Sequence, residues 1–129
     1  MPATTRDGER IRAAAGRGAA GALWLVQAFS GLLLVFLLLL HMVAHHFVVE
    51  GGLRTFADVV DYVSQPVIFG LEVLFLIVVI VHAVLGLRAI LLDLGLTGRS
   101  QRMADRLLAL LGAVTLGYGL WLAIAIQRL

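Results

Sequence analysis

Residues 23–49 read LWLVQAFSGLLLVFLLLLHMVAHHFVV. No Asp, Glu, Lys or Arg interrupts the run. It exceeds the ~20 apolar residues that carry a helix across a hydrocarbon core about 30 Å thick. Two more such runs follow, one after Pro66 and one ending near Ile126. The chain is therefore read as an all-α integral membrane protein of three transmembrane helices. Its bulk composition agrees. Of 129 residues 61% are hydrophobic and 14% charged, and the mean hydropathy is +1.02. Soluble domains average roughly 45–50% apolar and about 25% charged residues.

The first run follows Arg6, Arg10, Arg12 and Arg17, which could suggest the charged start of a signal peptide. A signal peptide's apolar region spans only ~7–15 residues before a small-residue cleavage site. This run is longer, no such site follows it, and it is kept as a helix of the mature protein. Residues 1–21 form a polar Arg/Gly/Ala arm, partly disordered, on the membrane surface or against a partner. The membrane domain is residues 22–129. In it, helix I runs from about 22 to 48 and stops at Gly51-Gly52. A connection over residues 52–64 carries a short interfacial helix, from the spacing of Phe56, Val59, Val60 and Val63. Helix II covers 66–93, with Pro66 in its first turn and Gly95 and Gly98 beyond its end. Helix III covers 103–126.

Arginine supplies all of the Lys/Arg positive charge, and lysine is absent. Four arginines lie in the arm, and Arg99, Arg102 and Arg106 in the II–III loop, with Arg88 nearby. The I–II connection has Arg54 against Glu50, Asp58 and Asp61. The positive-inside rule then places the N-terminus in the cytoplasm and the C-terminus outside, in a cytoplasmic membrane. With three spans, the basic excess reads as topology, not as a nucleic-acid surface. Without cysteine, disulfides, thiolate-bound clusters and covalent haem attachment are excluded.

Ionisable side chains inside a span are costly and are functional candidates by default. His41, His45 and His82 are the ones to explain. At ~100° per residue, Gln27, Ser30, His41 and His45 share one stripe of helix I, and His46 points away. Gly86 and Asp93 share the His82 face, where Gly86 leaves room for a large flat group. Gly112, Thr115 and Gly119 form a small-residue face on helix III suited to close packing. The plain reading is that the histidines bond between helices or reach the interface, with Glu72 near the outer boundary. The sharper one is haem, since two imidazoles are a standard axial pair for iron. By helical rise, His41 lies ~27 Å and His82 ~16 Å above the inner helix ends. An offset of ~10 Å is too great for ligands ~2 Å either side of one metal. If both bind haem they bind different haems, each completed by another subunit.

The segment His82-Ala-Val-Leu-Gly86-Leu-Arg88-Ala-Ile-Leu-Leu-Asp93 resembles the second helix of the cytochrome b anchor subunits of succinate dehydrogenase and fumarate reductase, with the pattern H-x-x-x-G-x-R-x-x-x-x-D. Trp24-x-x-Gln27-x-x-Ser30-Gly31 is similar to that family's first-helix start. The resemblance implies a pairing with a second three-helix anchor subunit, docking of a flavoprotein and an iron–sulfur subunit, and quinone as electron acceptor. It implies haem b on His82 and, as in two-haem members that commonly use menaquinone, a second haem on His41. Arg88 would meet a propionate or a partner, and Trp24, Gln27 and Ser30 a quinone or haem edge. Two departures stand out: Ala28 occupies the position of the family's helix-I arginine, and no tyrosine follows Asp93. Two other readings remain open. One is a haem b anchor of a different dehydrogenase or hydrogenase. The other is a small non-haem membrane protein using its histidines as a proton or metal relay.

Overall fold

A computed structural model describes residues 3–48, 51–52 and 55–128 of the chain. Glu50 and Arg54, and the side chains of Arg6, Arg12 and Arg17, lie outside the described part. Every regular element is helical. α1 spans Ala3–Val43, continued by a π-helical turn over Ala44–Val48. α2 spans Phe56–Ser64, α3 Pro66–Asp93 and α4 Gly98–Ile126. Stretches of 30, 28 and 29 residues are long and apolar enough to cross a membrane: Gly18–Phe47, Pro66–Asp93 and Gly98–Ile126.

The expected arm joins the first span without a break, because its Ala-rich stretch favours helix. α4 likewise begins five residues before the expected Met103. Its first turn, Gly98-Arg99-Ser100-Gln101, is polar, and so carries no apolar period to mark it. The end of α3 is set by backbone chemistry. Gly95 takes φ +90°, a conformation that disfavours any residue with a Cβ. Its amide donates to the Leu92 carbonyl at 2.9 Å, and that of Leu96 to Leu91 at 3.3 Å. This is the Schellman pattern that satisfies the last carbonyls of a helix. α2 is started by a capping box. The Asp58 amide donates to Thr55 Oγ1 at 3.2 Å, and the Thr55 amide donates to Asp58 Oδ2 at 2.8 Å.

α3 is the middle of a row. Among the described residues it packs on α1 on one side and α4 on the other, while α1 and α4 do not meet. α2 closes one end against α3 and α4, where Gln127 Nε2 donates to the Val63 carbonyl at 3.2 Å. The small-residue face of α4 makes its close approach as its composition predicts. A Cβ at Gly119 would lie 2.8 Å from Leu76, and one at Gly112 3.0 Å from Val84. The row has little interior. Leu37, Tyr62, Val78 and Leu108 are its buried core, whereas Phe29, Leu32 and Val35 stand 67–71% exposed. Bare apolar surface of this extent is stable only against lipid or other transmembrane helices.

Candidate cofactor sites

The antiparallel contact between α1 and α3 holds a constant register. Gly86 faces Gln27, Gly31 faces His82, and Glu72 faces His41. It separates the intramembrane histidines into two clusters. They lie ten to eleven residues apart along either helix, or about 15 Å by helical rise. The sequence expectation was ~10 Å, because it assumed that Leu23 and Asp93 lie at one depth. Continued downward, the observed register puts Asp93 about three residues lower on α1, which supplies the difference.

The first cluster is built around His82, which is half-buried between α1 and α3. Ser30, 9% exposed, donates its hydroxyl to the Gln27 carbonyl one turn back, at 3.0 Å. The same oxygen lies 3.0 Å from His82 Nδ1. A serine has one hydroxyl hydrogen, and here it is already committed. With that hydrogen on Gln27, Ser30 Oγ is placed to accept from Nδ1–H. In that arrangement of the neutral ring, Nε2 carries the lone pair. Its partner there is the Gln27 side-chain amide at 3.5 Å, the outer limit of a hydrogen bond and a weak one. Gln27 Oε1 is buried without any partner. Gly31 forms the wall behind the ring, where an added Cβ would lie 3.0 Å from His82 Cε1. A side chain here would press on the imidazole, and the absence of one lets the ring lie close against α1.

Gln27, Ser30 and His82 are thus brought together as the polar stripe suggested. Gly86 also belongs here, but the clearance it gives is taken by the Gln27 amide, 3.0 Å from its would-be Cβ. Trp24 does not join the cluster and is 68% exposed. Arg88 turns to α4, where its Nε donates to Asp105 Oδ1 at 2.8 Å. Asp93 is exposed at the end of α3.

The second cluster lies toward the other end. Both oxygens of Glu72 lie 2.9–3.0 Å from His41 Nδ1. His45 Nε2 lies 3.5 Å from the same carboxylate, buried and without a hydrogen-bond partner. The His41 and His45 rings are 4.0 Å apart, centre to centre. The Tyr62 hydroxyl donates to Glu72 Oε1 at 3.2 Å. Burial, then the Glu72 charge and this bond, push its pKa up to about 12, so the hydroxyl stays a donor throughout the physiological range. A cavity of about 350 Å³ adjoins the cluster, lined by His45, Tyr62 and Glu72 and otherwise by apolar side chains of α2, α3 and α4. His46 is exposed.

Composition and spacing did not reveal the roles of Gly31, Asp105 and Tyr62. Glu72 did carry a signal, since a carboxylate inside a span calls for a partner. Which partner depends on the helix register.

A family model described as the succinate dehydrogenase/fumarate reductase transmembrane subunit matches residues 9–124. The succinate dehydrogenase hydrophobic membrane anchor subunit of Archaeoglobus fulgidus is 38% identical over 103 residues, covering 80% of this chain and 87% of the relative. The protein of the same name from Thermoplasma acidophilum is 25% identical over 103 residues, covering 80% and 84%.

Proposed function

The chain belongs to the succinate dehydrogenase/fumarate reductase transmembrane-subunit family, and on that premise we propose that it anchors such a complex in the cytoplasmic membrane and holds a b-type haem through His82. The carrying observation is the setting of His82, with Ser30 Oγ at 3.0 Å from Nδ1 and only a long contact at Nε2. Ser30 Oγ can take up an Nδ1 hydrogen, which would leave the Nε2 lone pair against only a long contact to Gln27. A metal-bound histidine has this form, with one nitrogen for the metal and the other N–H donated to an acceptor.

The residues fit the group in other ways. Gln27 can swing from Nε2, because its carboxamide oxygen has no bond to lose. Arg88 commits Nε to Asp105, while guanidinium carries four further N–H donors for a propionate. Gln27 and Ser30 mark the edge where a quinone would sit, and Trp24, exposed one turn below Gln27, lies outside that cluster. Haem, when bound, supplies one-electron transfer at a potential set by its ligands and surroundings. This chain binds, orients and screens, and His82 would hold the iron from this chain's side. The opposite side of the iron is held by a second anchor subunit, against the open side of the helix row. The arginines of the first turns of α4 and of the arm face the cytoplasm, where the iron–sulfur and flavoprotein subunits dock. Succinate is oxidised on those subunits, and the electrons reach a membrane quinone.

The test is purification of the tagged chain from its native membrane in mild detergent. Co-purification of a flavoprotein, an iron–sulfur protein and a second small membrane subunit, with succinate-dependent quinone reduction, is the expected result. A nickel or molybdenum subunit in their place would overturn the reading.

A further inference from the structure

We propose that the outer face of α4, at its N-terminal end, is a binding surface for an anionic phospholipid. Arg99, Arg102 and Arg106 hold the headgroup phosphate, and the apolar face beyond them takes the acyl chains.

The three arginines recur at i, i+3 and i+7 of α4. At ~100° per residue they fall within about 60° of one another. All three are exposed, and with Met103 they line a recess of about 330 Å³. Leu108, the buried residue of α4, points to the opposite side and faces α3 across a cleft lined by Val84 and Leu87. The recess therefore opens away from the helix row.

The patch is at odds with its own helix. Like charges at these spacings repel, and cations near a helix N-terminus meet the positive end of its dipole. α4 has no acidic residue in its first turn to offset this. Asp105, next to Arg106, is turned to Arg88 of α3 at 2.8 Å. Among the described residues no carboxylate pairs with the three guanidinium groups. An anion from outside the chain removes the conflict. Guanidinium suits phosphate, because its planar fork presents paired N–H donors.

Position selects the source of that phosphate. Arg106 lies eight residues into α4, about 12 Å by helical rise, within the stretch apolar enough to cross a membrane. Met103, Leu110 and Val114 extend the same side toward the membrane middle and stand 60–63% exposed. One face thus offers charge at the membrane surface and bare apolar area directly beneath it, the two parts of a phospholipid. Arginine stems can lie along that area with their heads at the phosphate level. An acidic surface of a soluble partner would match the charge and leave the apolar half uncovered. The positive-inside rule accounts for arginine at this end of the chain. It does not account for three arginines gathered on one side of a helix without counter-ions.

The surface does not rest on the haem reading, and the test keeps the two apart. The membrane-extracted complex is stripped of lipid in detergent and incubated with mixed micelles holding equal amounts of phosphatidylglycerol and phosphatidylcholine. It is then re-isolated, and the ratio of the two bound lipids reads the headgroup preference. The wild type should hold phosphatidylglycerol in excess. Arg99→Gln, Arg102→Gln and Arg106→Gln should each cut that preference about fivefold, and the triple variant on the order of 100-fold. Arg128→Gln, beyond the other end of α4, should keep it. Phosphatidylglycerol should also raise the temperature of thermal disassembly of the wild type and leave that of the triple variant unchanged. Equal lipid ratios in wild type and triple variant overturn the proposal. So does a thermal rise given equally by inorganic phosphate at the same concentration, which marks a free-anion site. A triple variant that keeps its lipid and sheds the iron–sulfur and flavoprotein subunits also overturns it, since the patch is then a protein dock. Absence of those subunits from the wild type bears only on the anchor reading.

Discussion

Ser30 is the residue that holds Nδ1 of His82, at 3.0 Å. With its hydroxyl hydrogen on a carbonyl of its own helix, Oγ offers the imidazole an acceptor. Ser30→Ala removes the acceptor and frees the ring to change tautomer. Haem affinity of the assembled complex should fall by roughly 10–100-fold, the usual effect of losing an outer-shell partner. Haem retained per complex after dilution checks it. Gly31→Val should act by sterics instead, since a Cβ there already lies 3.0 Å from His82 Cε1. It should deplete haem in assembled complex, whereas Gly70→Ala, with nothing within 4 Å, should not. Gln27, Ser30 and His82 were legible in the sequence because a polar group stands out within an apolar span. Gly31 was not, because a glycine's role depends on what faces it across the interface. Arg88 illustrates the same limit. Its charge was evident at once, but Asp105 became its partner only when α4 was set beside α3.

At the scale of the element, the spans were legible and their register was not. Length and hydropathy mark each span, and Pro66 and Gly95 mark two ends through backbone chemistry. Register follows from contacts between helices, and so the spacing of the two histidine clusters had to be read from the fold. The α3–α4 contact depends on glycine at the positions of closest approach. Gly119→Val places a side chain where a Cβ would already meet Leu76 at 2.8 Å. The cost should be about 1–3 kcal/mol, typical of overpacking, seen as earlier thermal disassembly of the purified complex. Gly117→Val meets nothing within 4 Å and should leave the transition near its wild-type temperature. The π turn after Val43 had no clear sequence signature, since its residues, AHHFV, suit an ordinary helix as well.

Among the described residues the molecule is a row of three helices whose outer members do not touch, and on the proposed reading His82 alone would hold the iron from this chain. The chain alone should therefore hold haem poorly, and co-expression with a second anchor subunit should restore it. The ratio of haem to chain in the two preparations measures this. The central claim, that His82 binds the iron of a b-type haem, is tested most directly by the reduced-minus-oxidised visible spectrum of the purified complex beside that of His82→Leu. The predicted result is a b-type spectrum in the wild type that loses one haem per chain in the variant, while the flavoprotein and iron–sulfur subunits still co-purify. An identical haem content in the two, or no b-type spectrum in the intact wild-type complex, would contradict it.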